Sequence, residues 1–200
     1  MPKIHTLPLL LLLSLASACS PRDFLTRRLA ADLIAGSPGF SSTQELWLRT
    51  GVVSNRDYLS PEYMVLQHHG WITGSNAACP VQVGPAPCWD VALTPGGVNV
   101  FRDLIPNQAP ISQYFSVPSA RRELVEVTGI SKDDQTAEVD FQWKWVPLNA
   151  VGAALYNEQV QYISIVAFRH YDDGWRVIET TPAAPNQGLD DALKNAVPAQ

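Results

Sequence analysis

The feature that most constrains the fold is a strict alternation of apolar and polar side chains over residues 138–145 (EVDFQWKW). A period of two is typical of a β-strand that has one buried face and one solvated face. The segment therefore predicts an amphipathic strand whose inner face is rich in aromatic rings. The side chains on that face are Val139, Phe141, Trp143 and Trp145.

Three further extended segments accompany this strand. The Asp-Asp-Gly sequence at 172–174 predicts a tight hairpin, because Asp-Gly pairs favour the backbone of short β-turns. Residues 149–156 have a helical pattern and separate the strand at 138–145 from the next extended segment. Together the segments predict a four-stranded antiparallel meander, whose strands in chain order are 121–130, 138–145, 159–171 and 175–180.

The first half of the chain contains more helix signals. Ser60 and Thr94 each precede a proline, the pattern of an N-cap followed by proline in the first helical turn, and Gly70 is a helix stop. The predicted elements are a helix at 22–35, a strand at 44–53, a turn at 54–57, a helix at 60–69, strands at 71–72 and 91–93, and a helix from 94 that Pro106 ends.

Residues at about 60–105 contain a helix that ends in glycine (Leu66 to Gly70), two strands and a threonine-capped helix (Thr94 to Phe101). This order resembles the wing region of winged-helix domains. DNA-binding members have a basic recognition helix, but residues 63–69 contain neither lysine nor arginine. The resemblance therefore implies an architecture without DNA binding.

The later strands, at about 115–181, are similar to the cone-shaped sheets of cystatin-like and nuclear-transport-factor-2-like proteins. The predicted fold class is α+β, with N-terminal helices and a small winged-helix-like β-pair followed by the four-stranded meander. We expect a signal peptide at 1–18, a helical part at 19–110, a sheet part at 111–181 and a Pro-rich surface tail at 182–200 that carries a short helix at 189–195.

The N-terminus has the layout of a targeting signal. Lys3 precedes a leucine-rich core at 7–15, which is shorter than the about 20 apolar residues that cross a bilayer, and residues 15–19 (LASAC) end in a cysteine. The segment resembles the lipobox of a bacterial lipoprotein precursor. The resemblance implies cleavage before Cys19 and attachment of a diacylglycerol to its sulfur. An ordinary secretory signal cut after Ala18 is the alternative.

The same resemblance implies a location in the cell envelope. Two or three acyl chains hold a protein at a membrane in effect permanently. Ser20, in place of an aspartate at the second mature position, implies the outer membrane facing the periplasm in a Gram-negative source. The chain has a net charge of −5. Since nucleic-acid binding depends on cations that neutralise phosphates, we expect no nucleic-acid partner.

Cysteine usage agrees with an oxidising compartment. With Cys19 acylated, Cys79 and Cys88 remain as an even pair, separated by a loop with prolines at 80, 85 and 87. We predict a disulfide between them that staples this loop. A redox role would require a reactive thiolate near a base or a helix start, and no neighbouring residue indicates one.

Residues that suggest catalysis are few. His170 and Asp172 lie at the predicted hairpin and Glu179 lies on the strand after it, so each is a candidate general base; turn formation also explains Asp172. His68 and His69 are adjacent and point about 100° apart on a helix, whereas helical metal ligands are spaced i, i+4. We predict no metal site and no cofactor.

Aromatic rings on neighbouring predicted strands have two interpretations. They form the core, or they line a pocket for an apolar or glycan ligand. The rings are Trp143, Trp145, Tyr162, Phe168 and Trp175.

Two functional classes follow from these patterns. We favour a lipid-anchored, non-enzymatic binding or accessory subunit for another envelope protein, which acts through the sheet face or the disulfide loop. The alternative is a small-molecule pocket in a cone-shaped sheet, hydrolytic or isomerising, with His170, Asp172 or Glu179 as the base.

Overall fold

The computed structural model describes residues 24–105, 114–180 and 187–199. The predicted signal peptide and Cys19 lie outside these ranges. The helices are α1 (Arg27–Gly36), α2 (Pro38–Ser41), α3 (Asn55–Tyr58), α4 (Pro61–His68), α5 (Pro95–Phe101), α6 (Ala150–Leu155) and α7 (Leu189–Lys194). The strands are β1 (Gln44–Arg49), β2 (Gly51–Ser54), β3 (Ile72–Ala77), β4 (Cys88–Leu93), β5 (Tyr114–Asp133), β6 (Thr136–Pro147), β7 (Gln161–Tyr171), β8 (Gly174–Val177) and β9 (Val197–Pro198).

The fold is α+β with a curled antiparallel sheet. Its strand order is β1-β5-β6-β7-β8, and β9 also pairs with β7. The alternating segment is β6, and its side chains Val139, Phe141 and Trp143 are buried as the pattern predicts. Strands β5 to β8 follow one another as a meander, but this sheet has six strands rather than four. The additional strands come from distant parts of the chain, which local periodicity does not pair.

Several strand boundaries differ from the predictions. Strand β5 is longer than predicted, and β8 ends at Val177 rather than 180. The strand predicted over 44–53 is two strands in different sheets. Thr50 lies in neither of them, and the chain turns at Gly51, whose φ of 78° favours glycine. Strand β2 joins the predicted pair, so the small sheet has three strands in the order β2-β4-β3.

The strongest helix signals are confirmed. Ser60 Oγ accepts the amide of Tyr63 at 3.5 Å, and α4 ends before Gly70, whose φ is 67°. Thr94 Oγ1 accepts the amide of Gly97 at 3.0 Å and caps α5. The short helix expected at 149–156 is present as α6.

Other helix predictions were wrong in their limits. Helix α1 starts at Arg27 rather than 22, because Thr26 is its N-cap and accepts the amide of Leu29 at 3.1 Å. Helix α5 ends at Phe101, well before Pro106, which lies outside the described residues. The segment predicted as a turn at 54–57 begins α3, because the Ser54 hydroxyl accepts the amide of Asp57 at 3.1 Å.

Apolar side chains form two clusters. The larger one packs α1 and α7 against the aromatic face of β6 and β7, and the smaller one lies between β1, α4 and the three-stranded sheet. The C-terminal segment is not the surface tail that we expected. Its helix α7 is present, but Leu189 and Ala192 are 0% and 2% exposed, because this helix covers the sheet.

Candidate functional site

The outer edge of β1 is the most distinctive surface in the part of the chain that the structure describes. Within the described ranges, strand β1 ends the large sheet and pairs only with β5. Its side chains alternate: Leu46 and Leu48 are buried, whereas Trp47 is 67% exposed. Tryptophan is enriched among the residues through which proteins bind other proteins.

Antiparallel pairing determines which backbone groups of β1 face outward. Alternate residues of an edge strand direct both N–H and C=O groups away from the neighbouring strand. Glu45 lies opposite Pro118, which has no N–H to donate, so the outward-facing set contains Glu45 and, two residues on, Trp47. Among the residues that the structure describes, neither the N–H nor the C=O group of Glu45 or Trp47 therefore has a backbone partner.

Tyr63 on α4 occupies the next position of that set. Its hydroxyl accepts the Arg49 amide at 2.8 Å and donates to the Arg49 carbonyl at 2.9 Å. Helix α4 is held in this place by the Ser60–Pro61 start and by Leu66, which is fully buried. The side chain of Tyr63 thus closes one end of the open edge.

Two clefts share Trp47, Ser60 and Tyr63 in their linings. The first, about 280 Å³, follows the strand from Gln44 to Trp47 and also contacts Glu62 and Tyr156. The second, about 330 Å³, is lined by Trp47, Arg49, Asp57, Ser60, Tyr63 and Tyr114. We call the two clefts together the β1 groove.

Carboxylates dominate the charge of the β1 groove. Glu45 and Glu62 line the first cleft, and Asp57 lines the second. Arg49 is the cation among these lining residues, and its guanidinium lies 5.0 Å from the centre of the Tyr114 ring. The groove is therefore acidic on the side that follows the open strand edge.

The surroundings of two tyrosines of the groove, Tyr63 and Tyr156, raise the pKa of their side chains. Burial raises the pKa of Tyr63; the Arg49 backbone hydrogen bond opposes that rise and the Asp57 charge adds to it. Burial also raises the pKa of Tyr156, against the Ser119 hydrogen bond and with the Glu62 charge. Both phenols stay neutral and act as hydrogen-bonding groups rather than as bases.

The predicted catalytic candidates do not meet in one site. His170 and Asp172 line an open cleft of about 460 Å³ at the β7–β8 turn, whose lining does not include Glu179. Asp172 is exposed, and the His170 ring packs 5.0 Å from Trp175. The Asp-Gly hairpin is present, so turn formation accounts for Asp172.

Glu179 lies instead at the junction of α2 and α7. Its backbone carbonyl accepts the Asp190 amide at 3.1 Å, and its carboxyl group faces Gly39. Burial raises the pKa of this carboxyl; a hydrogen bond from the Gly39 backbone opposes the rise, and the charge of Asp190 adds to it. The arrangement ties two helices to the sheet.

The sheet aromatics are mainly core. Trp143, Phe168 and Trp175 are at most 4% exposed, and Trp145 and Tyr162 are partly buried against the same cluster. The Trp143 indole donates to Ser164 at 3.0 Å. The guanidinium of Arg122 lies 4.7 Å from the Trp145 ring centre, and burial lowers the pKa of Arg122. These contacts show that the rings pack in the core of the sheet.

The predicted disulfide between Cys79 and Cys88 is confirmed, and it joins the first residue of β4 to the loop after β3. The His69 ring stacks on Trp71 at 4.7 Å, and no group of three potential metal ligands occurs within the described residues. In those same ranges no helix has the length and apolar character to cross a membrane.

Comparisons with known proteins found no match. No protein-family model matches the chain, and neither a curated protein nor a solved structure shows significant similarity to it.

Sequence reasoning missed the β1 groove. The alternation of Glu45, Leu46, Trp47 and Leu48 contained a signal, because it placed a tryptophan on the polar face of a predicted strand. What the pattern could not supply was the position of that strand at the sheet edge.

Proposed function

We propose that this protein is a lipid-anchored, non-enzymatic accessory protein of the cell envelope that docks a protein partner in the β1 groove. The observation that carries the proposal is Trp47, an exposed ring on an open strand edge that lines both clefts. Interface hot spots favour such aromatic anchors beside unpaired polar groups.

The proposed anchor would hold the folded domain near the membrane surface. From Cys19 to the first residue of α1, Arg27, a fully extended chain reaches at most about 28 Å. Acyl chains at Cys19 would therefore keep the sheet close to the bilayer. The disulfide at Cys79 and Cys88 supports an oxidising compartment.

Acylation is tested by labelling cells with radioactive palmitate. The wild-type chain incorporates label into the membrane fraction, and Cys19→Ser incorporates none. Equal labelling of the two, or none in the wild type, would remove the anchor from the proposal.

Docking is tested by photo-crosslinking in living cells. A photoreactive phenylalanine analogue replaces Trp47 in one strain and Ile165 in another, since Ile165 is also exposed, at 46%, but lies on β7. We expect a discrete higher-mass adduct at position 47 and none at position 165. Equal adducts at both positions, or none at either, would refute docking in the groove.

The finer architecture is also a proposal. Helix α4, strands β3 and β4 and helix α5 follow in the winged-helix order, which supports a winged-helix-like unit. The long bulged pairing of β5 with β6 supports a cone-shaped sheet of the cystatin-like or nuclear-transport-factor-2-like kind.

A further inference from the structure

The open edge of β1 has the size of a short strand-addition site. Glu45 and Trp47 together present two N–H and two C=O groups outward, and the Tyr63 hydroxyl occupies the groups of Arg49. A segment that pairs with this edge therefore reaches Trp47 and stops at the side chain of Tyr63. Because pairing stops at Tyr63, the open edge is long enough for a short extended peptide but not for a long strand.

The same geometry places the side chains of an added strand. In an antiparallel pair, residues whose N–H and C=O groups point at each other also share one face of the sheet. Residues opposite Glu45 and Trp47 would thus lie beside a carboxylate and an indole ring. Every strand pair in the described ranges is antiparallel, so an added strand of this type continues the sheet.

Charge determines which peptide fits. The cleft along the open edge is lined by Glu45 and Glu62 and by no lysine or arginine. The cation of the second cleft, Arg49, already contacts the Tyr114 ring. A second copy of this chain would bring the same carboxylates together, whereas a lysine or arginine side chain would pair with Glu45 and pack its stem on Trp47.

We propose that β1 binds an extended peptide segment with alternating cationic side chains, which adds to the large sheet as an antiparallel edge strand. This inference rests on the proposed docking function and names the class of partner.

Synthetic peptides test the inference on the full mature chain in detergent. The probe is a fluorescent five-residue peptide of alternating lysine and valine, and its matched form replaces lysine with glutamate. Two further forms carry N-methyl groups on the lysine amides, which would face β1, or on the valine amides, which would face water. Binding is measured by fluorescence anisotropy.

We expect the lysine peptide to bind and the glutamate peptide not to bind. Methylation of the lysine amides should weaken binding at least about tenfold, and methylation of the valine amides should leave it within about twofold. Equal losses for the two methylated forms, equal affinity for the glutamate peptide, or no binding of the lysine peptide would overturn strand addition.

Protein variants test the charge separately. The double variant Glu45→Gln and Glu62→Gln should weaken lysine-peptide binding about fivefold, whereas Glu126→Gln, an exposed carboxylate on β5, should not change it. If the wild type, the double variant and Glu126→Gln all bind the lysine peptide equally, the inference that the partner is cationic is wrong. Sedimentation that shows a dimer of this chain, undisturbed by the lysine peptide, would also overturn the inference.

The two levels of the proposal fail in different ways. A crosslink at position 47 in cells together with equal effects of the two N-methylated peptides would keep docking and refute strand addition. Specific peptide binding without any adduct in cells would keep the peptide-binding edge and refute the docking function.

Discussion

The Tyr63 hydroxyl holds both backbone groups of Arg49, accepting its amide at 2.8 Å and donating to its carbonyl at 2.9 Å. The Tyr63 side chain of α4 thereby occupies the backbone groups at the end of β1 with which a further strand could otherwise pair. This contact couples the helix to the large sheet and fixes where the open edge stops.

The first prediction concerns this contact. Tyr63→Phe leaves the Arg49 amide and carbonyl without their partner in a half-buried place, so we expect the free energy of unfolding to fall by about 1 to 3 kcal/mol. Urea denaturation measures the loss. Tyr171→Phe is the control, because Tyr171 is 42% exposed, and its value should stay within about 0.5 kcal/mol of wild type. A loss no larger than that of the control would contradict the role of Tyr63.

Substitutions at two neighbouring residues of β1, Trp47 and Leu48, should affect binding and stability differently. Trp47→Ala removes a ring that is 67% exposed, and we expect the free energy of unfolding to change by less than about 1 kcal/mol while the lysine peptide no longer binds. Leu48→Ala empties a fully buried site and should cost about 2 to 5 kcal/mol. Thermal and urea unfolding of both variants check the difference. A large destabilisation by Trp47→Ala would show that the ring is structural.

Two glycines make a matched pair for packing. A Cβ on Gly152 would overlap the carbonyl oxygen of Ser119, while nothing lies within 4 Å of the corresponding position on Gly36. Gly152→Ala should destabilise by about 2 kcal/mol, and Gly36→Ala, in a helix, should stabilise by a few tenths to about 1 kcal/mol. Differential scanning calorimetry gives both values. Equal midpoints would mean that α6 does not pack on β5 as closely as described.

The carboxyl of Glu179 should make stability depend on pH. Its pKa in the folded protein is raised above the unfolded value, chiefly by burial, so the folded state favours the proton. The corresponding stabilisation is complete below the ordinary glutamate pKa and is lost as pH rises through the raised folded value. Glu179→Gln should therefore remove this part of the decline.

Thermal midpoints between about pH 4 and about pH 8 test the effect. The difference between Glu179→Gln and wild type should grow in favour of the variant as pH rises, and Glu126→Gln serves as the control. A constant difference across this range would contradict the assignment.

Local patterns predicted the local structure well. The apolar-polar alternation of 138–145 gave β6 and its buried face, because burial on one side of a sheet imposes a period of two. Ser60-Pro61 and Thr94-Pro95 gave two helix starts, because capping depends on side chains within one turn. The Cys79–Cys88 pairing followed from the small number of cysteines.

Long-range relationships were not predictable in the same way. The pairing of Trp47 with Ser116 joins residues that are distant in the chain, and no local pattern specifies such a register. The helix at 189–195 was expected, but the sheet face that buries Leu189 lies on β7, which the segment itself does not reveal. The groove depends on both kinds of pairing, and it was therefore missed.

Amide hydrogen exchange in the free protein, resolved by residue with NMR, tests the open edge most directly. We expect slow exchange at Leu46 and Leu48, which pair with β5, and at Arg49, which is bonded to Tyr63, but fast exchange at Glu45 and Trp47. Protection of Glu45 and Trp47 equal to that of their neighbours would show that the edge is already occupied and would contradict the account.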